Sequence, residues 1–208
     1  MKDLFVLTAD SDAQAIIGAI LRRHRTLHIR PITFEIERHT GRDSGMVKDG
    51  PEIARVKVQK TEYSRLVLAW DHDGSGWHSR PPEDAALRIQ TRLNGVTWAD
   101  RSATVVLVPE LEEWIWHCRE SLAELMGLTL ADFEELAARL AGKRNRPLDT
   151  CCRESPKELF GDIFYYRHRR QPLPEDFESI GKAADLAAWR GSQTFTRFAD
   201  TLLQWFPA

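Results

Sequence analysis

Four short apolar runs, each leading toward a stretch of helical periodicity, constrain this chain more than any other feature. The runs are KDLFVLT at Lys2–Thr8, ITFEIE at Ile32–Glu37, RLVLAW at Arg65–Trp70 and ATVVLV at Ala103–Val108. After the first, apolar residues recur at Ala13, Ile16, Ile17, Ile20 and Leu21, the i, i+3, i+4 spacing of an amphipathic helix that Ser11 or Asp12 can cap. After the second, His39–Gly50 is rich in Gly, Asp and Ser and reads as a loop, with Pro51 opening a helix to about Tyr63. After the third, Pro81-Pro82 precedes a helix to about Leu93, and ELEEWIWHC follows the fourth run at once. Strands alternating with helices imply crossover units and an α/β fold with a mainly parallel sheet flanked by helices.

From Ser121 onward the pattern changes. Helical periodicity covers Ser121–Met126, Leu130–Ala141, about Pro156–Tyr165 and Ser192–Trp205, and no further strand is expected. The chain therefore divides into an α/β core at residues 1–120 and a helical extension at 121–208, packed on it as one compact domain. A chain of 208 residues supports one sizeable core.

In an open parallel sheet, ligands bind beyond the carboxyl ends of the strands. That rule singles out Asp10 and Asp12 after the first strand, Asp71 and Asp73 after the third, and Glu110, with Glu112 and Glu113, after the fourth. Asp-His-Asp-Gly-Ser-Gly at 71–76 is the sharpest cluster. Carboxylates two positions apart beyond a strand can share a hard divalent ion, and Mg²⁺ takes one or two carboxylates plus water and phosphate oxygens. The same residues also make a good turn, and acids at 110 and 112 also suit a helix start. An EF-hand is excluded, because a strand precedes the loop and its twelfth position is Pro82.

Other chemistries lack their signatures. The seven histidines are dispersed without zinc spacing, and GxSxG, Walker A and GxGxxG motifs are absent. Cys118, Cys151 and Cys152 make an odd count with an adjacent pair, which reads as reduced thiols in a cytoplasmic protein. No apolar run has the length of a signal peptide or a membrane span. With 29 basic and 31 acidic side chains, no global field draws the protein to nucleic acid. Local patches remain candidates: Lys143, Arg144 and Arg146, followed by Arg153 and Lys157, then Arg167, Arg169 and Arg170 beside Phe164, Tyr165 and Tyr166. A solvated surface is the simpler explanation of each cluster alone, as the helix dipole is of Arg22–Arg25. Trp114 and Trp116 cannot share one helix face, so at least one marks an interface or a pocket lip.

Read in order, FVLTADSDAQAI, RLVLAWDHDGSG and VVLVPELEEWIW resemble the Toprim-like fold of the DUF4276 type. ESPKELF, the Tyr165-Tyr166 pair and SQTFTRFADTLL are similar to that family's C-terminal helices, so the resemblance spans nearly the whole chain. It implies a bacterial protein of antiphage defence, with Mg²⁺ or Mn²⁺ held for phosphoryl transfer by a Glu after strand one and the pair Asp71 and Asp73. The position of that Glu is Thr8, which cannot serve as a carboxylate ligand. Two readings follow. One is a metal-dependent nuclease or nucleic-acid-processing subunit, with Asp10 replacing the Glu and Glu110 adding a ligand or positioning water. The other is a catalytically degenerate adaptor that binds a partner protein of a defence complex.

Overall fold

The protein is described by a computed structural model covering residues 2–59 and 63–208. Strands and helices alternate through the first half: β1 (Lys2–Thr8), α1 (Ser11–Leu21), β2 (Phe34–Arg38), α2 (Arg42–Gln59), β3 (Tyr63–Asp71), α3 (Pro82–Leu93) and β4 (Ser102–Leu107). Helices alone follow: α4 (Glu112–Ile115), α5 (Arg119–Leu125), α6 (Leu130–Lys143), α7 (Leu148–Glu154), α8 (Pro156–His168), α9 (Pro174–Ala183), α10 (Leu186–Trp189) and α11 (Gln193–Trp205). The fold is α/β. Its four strands, all parallel, lie in the order β2-β1-β3-β4.

Period-two alternation divides the sheet into two buried faces. Leu4 and Val6 of β1, Val67 and Ala69 of β3, and Val105 and Leu107 of β4 share a core with α1 and the helices after β4. Phe5, Leu7, Leu66, Leu68, Trp70 and Val106 point the other way, onto α2 and α3. A parallel sheet covered on both faces explains why β1 and β3 read as near-continuous apolar runs. Helix α9 lies close against α1, and Gly181 permits it: a Cβ there would stand 2.8 Å from that of Ala19 and 2.9 Å from the Ile16 carbonyl. Residues 206 and 207 return to the first half, where Arg30 N–H donates to the Phe206 carbonyl at 3.0 Å and Ile29 bridges Pro207.

Three local expectations are corrected. Residues 42–50 are helix rather than loop, so Pro51 lies inside α2 instead of opening it. Proline removes the N–H that would bond the Val47 carbonyl. Arg92 of α3 supplies the missing donor, reaching the Val47 carbonyl at 3.1 Å and that of Lys48 at 2.8 Å. The helix, expected to reach about Tyr63, is described to Gln59, and Tyr63 already opens β3; residues 60–62 lie outside the described residues. The cap of α1 is Asp10, not Ser11 or Asp12: its Oδ1 accepts the N–H groups of Asp12 at 3.1 Å and Ala13 at 2.9 Å. Helices α7, α9 and α10 were not expected; they are short, and their apolar periods are only two turns or less.

Candidate functional site

The parallel sheet brings all three acidic clusters to one end, as its topology requires. Strand β3 runs one residue further than its apolar stretch, so Asp71 is still in the ladder and only 6% exposed. Its Oδ1 accepts the Leu111 N–H at 3.0 Å, and its own N–H donates to Asp43 Oδ1 at 2.8 Å. Asp43, in the first turn of α2, thereby spans the start of the 71–76 segment. Gly74 is required beneath it, because a Cβ would stand 2.5 Å from Asp43 Oδ2. His72 N–H and Asp73 N–H donate to the carbonyls of Leu107 and Pro109, clipping the loop after β3 to the one after β4.

Asp71 and Asp73 do not stand as a pair. A short 3₁₀ turn at Asp73–Ser75 carries Asp73 to the exposed rim, while Asp71 stays inside. Asp10 approaches the cluster, with one carboxylate oxygen held by the α1 cap. Thr8 is fully buried, and its hydroxyl donates toward the carbonyls of Asp10 at 3.1 Å and Glu37 at 3.4 Å.

Two residues matter more than the sequence suggested. The acid driven deepest after β4 is Glu112, 3% exposed, with Oε2 buried and lacking a hydrogen-bond partner. Lys157, on α8, reaches into the cluster: its Nζ lies 3.6 Å from Glu110 Oε1 and 4.0 Å from Asp71 Oδ2. Lys157 and Asp43, unlike Glu112, carry a readable signal. Lys157 precedes the buried Phe160, Gly161 and Phe164 at i+3, i+4 and i+7, and Asp43 likewise precedes Met46, Val47 and Gly50. A charge on an apolar helical stripe points into the protein.

The electrostatics follow from burial. Desolvation, reinforced by Glu112, Asp43 and Asp10, raises Asp71 well above the ordinary carboxylate range, against the pull of Lys157. Desolvation raises Glu112 to about 7, again opposed by Lys157. It raises Asp12 to about 6 with the help of Asp10, and it raises Asp43 and Glu110 as well. Burial disfavours the Lys157 charge, but Glu112, Asp71, Glu110 and Asp10 outweigh it and raise its pKa. Near neutral pH the cluster is thus an ammonium held among carboxylates, some of which retain protons.

No ready-made cage of side chains for a resident Mg²⁺ or Mn²⁺ is present among the described residues: no three carboxylate, histidine or cysteine side chains converge as ligands for a metal. Backbone N–H groups occupy one oxygen each of Asp71, Asp43 and Asp10, and the ammonium of Lys157 stands beside Asp71 and Glu110.

The basic patches are largely committed to structure. Arg144 pairs with Asp162 at 2.6 Å, Arg146 with Glu154 at 3.5 Å and Arg170 with Asp176 at 2.6 Å, while Arg167 donates to the Met126 carbonyl at 2.7 Å. Arg169 lies over the exposed Tyr166 ring together with Arg139, and Lys143 makes no ion pair among the described residues. Trp114 and Trp116 are both buried. Trp114 packs among Trp189, Phe195 and Phe198, and Trp116 lines a cavity beside β4. No helix among the described residues is long and apolar enough to cross a membrane. No family model, curated protein or solved structure matches the chain.

Proposed function

We propose that this chain is a catalytically degenerate, Toprim-like protein of bacterial antiphage defence that acts by binding a partner protein. One observation carries the reading. The ammonium of Lys157 lies beside Asp71 and Glu110, supplying from within the chain the positive charge that Toprim chemistry takes from a metal. Thr8 supports it, because a buried hydroxyl directed at backbone carbonyls offers no carboxylate where the family's chemistry needs one. The cluster then serves as a structural clamp joining the loops after β1, β3 and β4 to α8.

The competing reading, a divalent-metal-dependent nuclease, has one observation in its favour: the buried Oε2 of Glu112 has no partner. Burial raises that carboxyl to about 7, so near neutral pH a proton can neutralise its charge, although the oxygen still has no hydrogen-bond partner.

The two readings separate in a thermal-shift series with Mg²⁺ and Mn²⁺ on wild type, Asp71→Asn and Lys157→Met, run beside hydrolysis assays on DNA and RNA. A metal at a hundred times its dissociation constant stabilises by about 2.7 kcal/mol, or about 5–11 °C for a domain of this size. The adaptor reading expects no such shift and no hydrolysis in wild type, with a metal response appearing once Lys157 is removed. A wild-type shift and a cleavage activity that both vanish in Asp71→Asn would overturn it. Co-expression with the neighbouring genes of its own genome supplies the positive arm, expected to yield a stoichiometric complex that persists in Asp71→Asn.

A further inference from the structure

A second feature lies apart from the acidic cluster. Strand β4 ends the sheet on one side, and a cavity of about 660 Å³ lies along it. Thr104, Val105 and Val106 all line this cavity. Consecutive strand residues point to opposite faces, and Val105 and Val106 indeed belong to different cores. A single cavity touching both must wrap around the open edge of the strand.

Backbone parity shows what that edge offers. Leu66 N–H bonds the Arg101 carbonyl and His72 N–H bonds that of Leu107, so odd-numbered residues of β4 face β3. In a parallel ladder the even-numbered ones, Ser102, Thr104 and Val106, then direct their N–H and C=O groups outward. No backbone bond from another element reaches these groups among the described residues. Edges left to solvent are usually blunted by charge. The opposite edge follows this practice, since β2 reads FEIER, whereas β4 reads SATVVL and carries no charge at all.

We infer that the β4 edge is a docking groove for an extended, acidic segment of a partner protein, which adds to the sheet as a fifth strand. Donors and acceptors repeating every second residue match a peptide backbone rather than a compact small molecule. The charges of the groove select the sign. Arg119 is paired with Asp149 and Glu134, and Glu113 keeps its charge but has both carboxylate oxygens committed, one to His117 and one to the Ser192 hydroxyl, so the sign is set by the charges left uncommitted. Arg153 and Arg197 line the cavity without an ion pair among the described residues, against Glu83 alone on the α3 side. A second copy of the chain fits poorly, because its own β4 is recessed between the same helices and two recessed edges cannot meet. The inference rests on the adaptor reading only for the source of the segment.

The test selects binders from a library of random linear peptides about nine residues long, enough to cover a strand of ordinary length. Enriched sequences should alternate β-branched with acidic residues. Their affinity should fall about tenfold or more, the scale of a lost hydrogen-bond pair, on Val106→Pro and on Arg153→Glu/Arg197→Glu. Proline at 106 removes only an outward N–H, so the β3 ladder survives. Should Val106→Pro not fold, peptides N-methylated on alternate amides decide: one set loses binding and the other retains it. An empty library, binders indifferent to both the proline and the methyl groups, or a chain dimer dissolved by Val106→Pro would each overturn the groove. A defence partner that binds Val106→Pro normally would remove the groove and leave the adaptor reading standing. Peptide binders with no partner complex would do the reverse.

Discussion

Replacing Glu112 with Gln should stabilise the protein at alkaline pH and do nothing at acid pH. A carboxyl whose pKa is higher in the fold than in the unfolded chain binds its proton more tightly when folded. Its contribution is therefore fully present below the unfolded value and lost as pH rises through the folded one. Glu112 moves from 4.5 to about 7, because burial outweighs the attraction of Lys157. At 1.36 kcal/mol per pH unit, the wild type loses about 3 kcal/mol between about pH 4.5 and 7 that the Gln variant keeps. For a domain of this size that corresponds to about 6–12 °C in Tm. Urea titrations of both proteins, followed by fluorescence of the buried tryptophans, should show stabilities that coincide below about pH 4.5, separate up to about pH 7 and keep that separation to pH 8. A variant less stable than wild type at pH 8 would refute the reasoning, because it would mean the ionised carboxylate and Lys157 gain more from each other than burial costs.

Three further outcomes follow from neighbouring contacts. Lys157→Met should cost about 1–2 kcal/mol at pH 8, the range between a buried pair and a half-exposed one. Its coupling to Glu112→Gln should be large in a double-mutant cycle. Gly74→Ala forces a methyl onto the Asp43 carboxylate and should cost about 1–3 kcal/mol by overpacking, measured by urea unfolding. Arg92→Met leaves the Val47 carbonyl, which Pro51 cannot bond, without its donor, with a loss of about 1–3 kcal/mol. Hydrogen exchange should accelerate in α2 around Pro51 before it does elsewhere.

The sheet was legible because burial on both faces writes itself as unbroken apolar runs, and every expected strand is present within two residues. Helix α2 was not. Its glycines and Pro51 disfavour a helix locally, and what supports it is remote: the sheet face that buries Met46, Val47 and Ala54, and an arginine some forty residues away. In the candidate site, the topology rule placed the right loops together but not the right side chains. Asp71 and Asp73 are one dipeptide step apart, yet a 3₁₀ turn sends one inward and the other to the rim. Glu112 does not stand out among adjacent acids, since choosing between 110, 112 and 113 requires the phase of a four-residue helix. Lys157 lies in the motif that carries the family resemblance, and only its place on the apolar stripe of α8 marks it as facing inward.

The return of residues 206 and 207 to the first half sets a schedule for the newly made chain. Arg30 waits for the Phe206 carbonyl through most of translation, roughly 10–35 s at 5–20 residues per second. The α1 surface that α9 covers stays open for nearly as long. During that interval the nascent sheet presents a greasy flank to every chaperone and neighbouring polysome, so the yield of this protein in a cell should depend on synthesis speed as much as on its final stability.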